Sequence, residues 1–72
     1  MKSLWPVRSL SELLGKRVRL VLKDGRTLEG EAVSFDDFTE DAEGRELIGI
    51  QVGEHIDCAY DSDIAEAHEL AG

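Results

Sequence analysis

The side chains that could do chemistry in this chain include two histidines and a single cysteine. His55 and His68 fall on separate predicted strands, and two histidines without a placed third ligand do not indicate a zinc site. Cys58 alternates with Ile56 and Tyr60 in "HIDCAYD", a pattern that predicts a thiol packed in the core. These residues therefore predict neither a metal centre nor nucleophilic catalysis.

The carboxylates of "DDFTEDAEGR", residues 36–45, form a further candidate cation site. Hard cations need several carboxylate oxygens at once, but the acids, glycine and final glutamate of an EF-hand loop are not at their required positions. We interpret the segment as a solvated loop. Because the chain also has no phosphate-binding glycine loop, paired-acid cleft or cofactor fingerprint, we expect a protein that is not an enzyme and carries no cofactor.

Charge restricts the partners of the chain, because 16 acidic residues against 8 basic residues give a net charge of −8 over 72 residues. This acidic balance disfavours RNA, since nucleic-acid binding usually draws on a basic surface. A single cysteine excludes an intramolecular disulfide. No apolar run approaches the roughly 20 residues that span a bilayer, and residues 1–10 do not resemble a signal peptide. We expect a cytoplasmic protein without membrane contact.

The elements that position these residues begin with an α-helix predicted over residues 9–15, after an N-terminal arm of residues 1–8. Ser9 is the expected N-cap, Glu12 completes a capping box, and Gly15 ends the helix. The helix would cover the open end of a barrel with one apolar stripe. The residues of that stripe are Leu10, Leu13 and Leu14.

From Arg17 onward the hydrophobic period becomes two, which predicts β-strands. Asp24-Gly25 predicts a hairpin with a type I′ turn, in which both central residues have positive φ. Gly30 lies inside the second strand, where a glycine indicates a bend or a bulge. The third strand is "ELIGIQV", with Ile48, Ile50 and Val52 facing inward.

The fourth strand is "HIDCAYD" and the fifth is "AEAHEL". Alternation in the fourth strand predicts that its apolar residues face the core and that His55, Asp57 and Ala59 face outward. The sequence thus predicts one domain over residues 1–72 with a barrel over residues 17–70. It is a mainly-β small barrel, in which a helix precedes five short antiparallel strands joined as a meander.

The segment "LLGKRVRLVLKDGRTLEGEAVSFDDF" resembles the first motif of the Sm and LSm proteins, including the bacterial Hfq branch. The resemblance extends over residues 9–38, whereas residues 47–70 are similar only in architecture and equally similar to SH3-like barrels. It implies an Sm-like fold. The matching positions are Leu14-Gly15-Lys16, Val18, Leu20, Leu22 to Arg26, Gly30 and Phe35-Asp36.

Sm proteins form rings by pairing the fourth strand of one subunit with the fifth strand of the next, and they bind uridine-rich RNA. Transferred to this chain, the resemblance places Phe38 at the base-stacking position, but Glu40 where the family has an asparagine. In the second motif, "YDSD" at residues 60–63 stands where the family has a basic residue and a glycine. The resemblance therefore implies a divergent member that lacks the usual RNA-pocket residues.

Our leading hypothesis is a non-enzymatic Sm-like module that forms a homo-oligomer or docks a protein partner through the edges of its fourth and fifth strands. The expected contacts are the outward positions of the fourth strand and two alanines of the fifth strand, whose facing the sequence does not fix. These candidate residues are His55, Asp57, Ala59, Ala65 and Ala67.

The alternative is a divergent RNA-binding protein that uses a basic strip on the outer face of the first strand. This basic strip consists of Arg17, Arg19 and Lys23, and Phe38 would stack on a base. A competing interpretation is that Glu29 and its neighbours on the second strand neutralise the strip through cross-strand ion pairs.

Overall fold

A computed structural model describes residues 2–37 and 45–70 and shows a mainly-β chain. Within these residues one antiparallel sheet has the strand order β1-β6-β2-β3-β4-β5. The five predicted strands correspond to β2 to β6, which confirms a mainly-β fold consistent with an Sm-like small barrel. The strands are β1 (Lys2–Ser3), β2 (Arg17–Leu22), β3 (Thr27–Asp37), β4 (Glu46–Val52), β5 (His55–Tyr60) and β6 (Ile64–Glu69).

The 11-residue strand β3 joins the two halves of the sheet. Its first part pairs with β2 and its second part with β4, and Glu31 is opposite both Arg17 and Gln51. The alternation of β2 places three apolar side chains on the inner side, as predicted. The largest fully buried side chains are Leu10, Leu13, Leu20, Ile48, Ile50, Ile64 and Val18.

The predicted α-helix over residues 9–15 is wrong in length and type, because the structure has a 3₁₀ helix over Leu10–Leu13. The capping box of Ser9 and Glu12 is confirmed. The helix stops after one turn because Gly15, with φ of 82°, donates its backbone N–H to the Ala32 carbonyl and leads into β2. In a 3₁₀ helix residues three apart share a face, so Leu10 and Leu13 are buried while Leu14 is 42% exposed.

The hairpin between β2 and β3 is confirmed, but its turn is not of type I′. Among the described residues only glycines have positive φ, so Asp24 does not adopt the conformation that this turn type requires. The backbone N–H of Gly25 donates to Leu22, and the N–H of Leu22 donates to Arg26. These bonds close a three-residue loop that ends on Gly25 with φ of 94°.

Gly30 allows a close approach between strands, whereas the bulge of β3 lies farther along the strand. A Cβ added at Gly30 would collide with the backbone carbonyl of Gln51. The register between β3 and β4 shifts between Ala32 and Ser34, so Val33 is the additional residue. The glycine in the strand therefore marks a close approach to β4, and the bulge lies at Val33 instead.

The predicted facing of β5 is wrong. The loop of Gly53 and Glu54 pairs Val52 with His55, and the same register puts Ala59 opposite the buried Ile48. Directly opposed residues of an antiparallel pair share a face, so the inner face of β5 carries His55, Asp57 and Ala59. Ala59 is 4% exposed, whereas Ile56 is 50% exposed and Cys58 is exposed. Cys58 is thus not a core residue.

The N-terminal arm contributes a strand that sequence analysis did not predict. Lys2 and Ser3 pair with Glu69 and His68 of β6 as strand β1. Leu4, Trp5 and Val7 are half-buried and pack against the core. In the described part of the chain, no helix is long and apolar enough to cross a membrane.

Candidate functional site

One edge of the sheet, that of β5, has no neighbouring strand within residues 2–37 and 45–70. Strand β5 pairs with β4 on one side, and among the described strands it has no neighbour on the other side. Antiparallel pairing directs the N–H and C=O groups of every second residue of an edge strand away from its partner, where another strand could bind.

The outer face of this open edge is apolar. We call Ile56, Cys58 and Tyr60 the outer strip, because they alternate with the inward-facing residues of β5. The strip continues inward to Gly49, which lies opposite Cys58, and a Cβ added there would lie 3.1 Å from Ile56 Cγ2. An exposed apolar strip beside unpaired backbone groups is the type of surface that accepts another strand.

The opposite edge of the sheet is largely covered by the N-terminal arm. Beyond the two residue pairs of β1, the N–H of Leu4 donates to the Ala67 carbonyl at 2.8 Å. Farther along the arm, Trp5 and Val7 line a shallow hollow near the start of β6. The other residues that line this hollow are Arg45, Asp61 and Ser62. The arm therefore covers the second half of the β6 edge, from Ala67 to Glu69.

The candidate docking residues are divided between surface and core. His55 and Ala65 are exposed and Asp57 is half-buried, so all three can contact a partner. Ala59 and Ala67 are buried. Ala59 therefore faces the core instead of the surface as predicted, and the structure places Ala67 in the core as well. The cause is the register, which places Ala59 opposite Ile48 and Ala67 opposite Leu20.

The basic strip lies on β2 and the following turn, beside acidic residues of β3. Arg19 Nε lies 2.7 Å from Glu29 Oε2 in an ion pair between directly opposed residues. Arg17 is opposite Glu31 in the same register. The interpretation of cross-strand neutralisation is therefore confirmed for Arg19. Lys23 is exposed in the turn, and Phe38 and Glu40 lie outside the described residues.

Arg45, the last residue of the segment 36–45, makes a contact that was not predicted from the sequence. Its guanidinium carbon lies 5.0 Å from the centroid of the Tyr60 ring, a cation–π geometry. The only available signal was that Arg45 is the single basic residue of an otherwise acidic segment. This contact places the Arg45 guanidinium over the ring of Tyr60, which is the last residue of the outer strip.

Both histidines have a carboxylate neighbour on their own strand. His55 Nε2 lies 3.1 Å from Asp57 Oδ2, and His68 Nε2 lies 3.3 Å from Glu66 Oε1. The two rings belong to strands at opposite sides of the sheet, β5 and β6. Over residues 2–37 and 45–70 no group of three histidine, cysteine or acidic side chains is placed to hold a metal ion.

The turn between β2 and β3 contains a carboxyl group, that of Asp24, with a lowered pKa. The Arg26 backbone N–H donates to Asp24 Oδ1 at 3.0 Å, and the Arg26 Nε donates to Oδ2 at 2.7 Å. These bonds, the backbone bond first, hold the pKa of Asp24 below its usual value of 3.8. The group stabilises the hairpin turn and lies away from the open edge.

Comparison with known proteins supports the resemblance in the first part of the chain. The family model of the LSM domain matches residues 8–39, which include the 3₁₀ helix, β2 and β3. Searches of curated proteins and of solved structures found no match. The described sheet, in which β5 and β6 lie on either side of a β2-β3-β4 meander, is consistent with an Sm-like small barrel. The match over residues 8–39 therefore shows that this part of the chain is similar to the LSM domain and supports an Sm/LSm-like family.

Proposed function

We propose that this protein is a non-enzymatic docking module, which joins a second copy or another protein by adding a strand to the edge of β5. The observation that carries the proposal is the coincidence of an open strand edge with an exposed apolar strip. Ile56 is the most exposed large hydrophobic residue of the described chain, at 50%, and it lies on this edge strand. Isolated surface hydrophobic residues are common, but on an unpaired strand they mark a site for strand addition.

The electrostatics of the described residues support a protein partner over RNA. Arg19 is held by Glu29, and Arg17 is opposite Glu31, so β3 reduces the positive potential of the basic strip. Asp61 and Asp63 lie in the turn where the family resemblance calls for a basic residue. RNA binding through Arg17, Arg19, Lys23 and Phe38 remains the second candidate and is an outcome of the experiment below.

The test is native mass spectrometry of the protein as purified from its own cells at low salt. We expect a mass above the 8.0 kDa of one chain. The Ile56→Lys variant should lose the additional mass, because a lysine on an edge strand opposes strand addition. Leu14→Lys is the matched control, since Leu14 is 42% exposed but follows the 3₁₀ helix.

Two results would contradict the proposal. One is a bare monomer as purified, and the other is an assembly that survives Ile56→Lys unchanged. Additional mass that ribonuclease removes would support the RNA-binding candidate instead. Loss of the assembly in the Leu14→Lys control would show that the assembly depends on apolar surface in general and not on β5.

A further inference from the structure

A hollow lies between the N-terminal arm and the 3₁₀ helix, and none of the residues that line it belongs to β5. We call this hollow the arm groove. Both elements contribute to its apolar lining, with Leu4, Pro6 and Val7 on the arm and Leu13 on the helix. Leu13 is buried, Leu4 and Val7 are half-buried, and Pro6 is exposed. The arm groove therefore has a buried apolar floor that is separate from the strand edge discussed above.

The size of the arm groove and the way its walls are held indicate what it could bind. Its volume is about 280 Å³. Pockets for small molecules have about 300–1,000 Å³, so this volume suits one or two side chains of a longer segment better than a cofactor. The N–H of Leu4 fixes the arm on the Ala67 carbonyl, and the Glu46 carboxylate fixes Ser9 and Leu10 at the helix start. Because both walls are in place before a ligand binds, little ordering is needed on binding.

Two cationic side chains, those of Arg8 and Lys16, complete the lining of the arm groove. Both residues are exposed, and within residues 2–37 and 45–70 neither has a carboxylate within ion-pair distance. Glu12 also lines the groove, but its Oε2 is directed to the helix start. There it accepts from the backbone N–H groups of Arg8 and Ser9 at 2.9 and 3.2 Å. Two cationic groups with no described carboxylate partner therefore border an apolar hollow.

We infer that the arm groove docks an acidic, extended segment of a partner protein, which places an apolar side chain in the hollow and carboxylates beside Arg8 and Lys16. Carboxylates form strong, charge-assisted hydrogen bonds with guanidinium and ammonium groups. The net charge of −8 favours docking at this place, because most of the surface repels an acidic segment and the groove attracts it. The inference goes beyond the proposed function, since it requires no strand addition at β5.

The lining of the arm groove favours a peptide over RNA. Proteins bind single-stranded nucleic acids by stacking the bases on aromatic side chains along a positively charged groove. The described residues that line the arm groove include no aromatic side chain and only two cations. An aliphatic floor instead accepts the apolar anchor residue of a docking peptide, as hydrophobic grooves do in other recognition modes.

The experiment begins with a phage-displayed library of random peptides, selected on the immobilised wild-type chain at low salt. We expect the selected sequences to be enriched in aspartate and glutamate beside leucine, isoleucine or phenylalanine. The most enriched peptide is then labelled with fluorescein and titrated with the full chain, and fluorescence anisotropy gives the dissociation constant. Replacing the carboxylates of the peptide by amides, or its apolar side chain by serine, should weaken binding. Added salt should also weaken it.

Variants of the chain locate the peptide. Arg8→Gln with Lys16→Gln should raise the dissociation constant about five- to tenfold, because two charge-assisted contacts are lost. The matched control is Arg17→Gln with Lys23→Gln, which removes the same two types of charge from exposed residues outside the groove lining. This control should leave the affinity close to that of the wild-type chain. Circular dichroism should show that both double variants are folded, since all four side chains are exposed.

Several results would overturn the inference. They are a selection without enrichment of acidic peptides, an affinity that falls equally in the two double variants, and a uridine oligonucleotide that displaces the peptide and depends on Arg8 and Lys16. Ile56→Lys should leave the peptide affinity unchanged. If it abolishes binding, the peptide binds β5, which overturns the inference and leaves the proposed function standing. Peptide binding that depends on Arg8 and Lys16 in a chain that is a bare monomer would support the inference and contradict the proposed function.

Discussion

The Glu46 carboxylate accepts two hydrogen bonds from the start of the 3₁₀ helix. Its Oε1 accepts from the backbone N–H of Leu10 at 2.9 Å, and its Oε2 accepts from the Ser9 hydroxyl at 2.8 Å. The contact joins residues that lie 36 and 37 positions apart in the chain. It connects the first residue of β4 to the helix that covers the core through Leu10 and Leu13. A single half-buried carboxylate therefore links the N-terminal segment to the sheet.

We expect Glu46→Ala to lower the free energy of unfolding by about 1.5–3 kcal/mol, the range for hydrogen bonds to a charged group. The measurement is urea denaturation followed by circular dichroism. Glu54→Ala is the matched control, because Glu54 is an exposed carboxylate in the turn between β4 and β5. Equal effects of the two substitutions would show that the bonds to Ser9 and Leu10 contribute nothing specific.

A second prediction concerns the contact between Gly49 and Ser34 across β3 and β4. A Cβ at Gly49 would collide with the Ser34 hydroxyl, so Gly49→Ala should cost about 1–3 kcal/mol of stability. Ser34→Ala removes that hydroxyl and should recover part of the loss in the double variant, as a double-mutant cycle would measure. Gly30→Ala should cost more, because the added Cβ collides with the Gln51 backbone carbonyl, which no side-chain truncation removes. Equal stability of the single and double Gly49 variants would contradict this account.

The facing of β5 leads to a third prediction, which distinguishes folding from assembly. Ala59→Lys would place a charge where the side chain is 4% exposed, so we expect a loss of at least about 3 kcal/mol in unfolding free energy. Ile56→Lys should leave the monomer folded, since Ile56 is 50% exposed. Thermal unfolding under conditions that keep both variants monomeric is the measurement. A stable Ala59→Lys variant would indicate that β5 faces as the apolar alternation suggested.

The fourth prediction concerns the basic strip. A uridine oligonucleotide should show no saturable binding to the wild-type chain at physiological salt. Replacing Glu29 and Glu31 by glutamine removes the carboxylates opposite Arg19 and Arg17 and should give measurable binding that weakens as salt is added. Fluorescence anisotropy is the measurement, and Asp36→Asn with Asp37→Asn is a control of equal charge change. Tight wild-type binding that Arg17→Ala and Arg19→Ala abolish would instead establish the RNA-binding candidate.

A fifth prediction follows from the lowered pKa of Asp24. Because the folded-state pKa lies below the unfolded value, Asp24 stabilises the fold at pH above about 3.8, and this contribution is lost as the pH falls through the folded pKa. Carboxyl-carbon NMR should give a titration midpoint below 3.8. Arg26→Gln should raise the midpoint only in part, since the backbone N–H of residue 26 is the larger cause and remains. A midpoint at or above 3.8 in the wild-type chain would contradict the turn geometry.

Local signals in the sequence predicted much of this fold. The period-two pattern predicted β2 to β6, and Ser9 with Glu12 predicted the cap of the helix, because these features depend on residues close in the chain. The number of residues in the loop of Gly53 and Glu54 also indicated which side chains of β5 face inward. With Val52 facing inward, a two-residue loop makes His55 face inward as well. The apolar alternation of Ile56, Cys58 and Tyr60 predicted that these side chains face the core, and that prediction is wrong.

Other features depended on contacts that no local pattern specifies. The bonds from Ser9 and Leu10 to Glu46, the ion pair of Arg19 with Glu29, and the addition of Lys2–Ser3 to β6 all join distant segments. The sequence by itself determined the strands, the cap and the LSm-like first motif, because hydrophobic period and turn chemistry act over a few residues. Only the tertiary structure decided which sheet edge is open, because that depends on where the arm packs once the sheet has curled around its core.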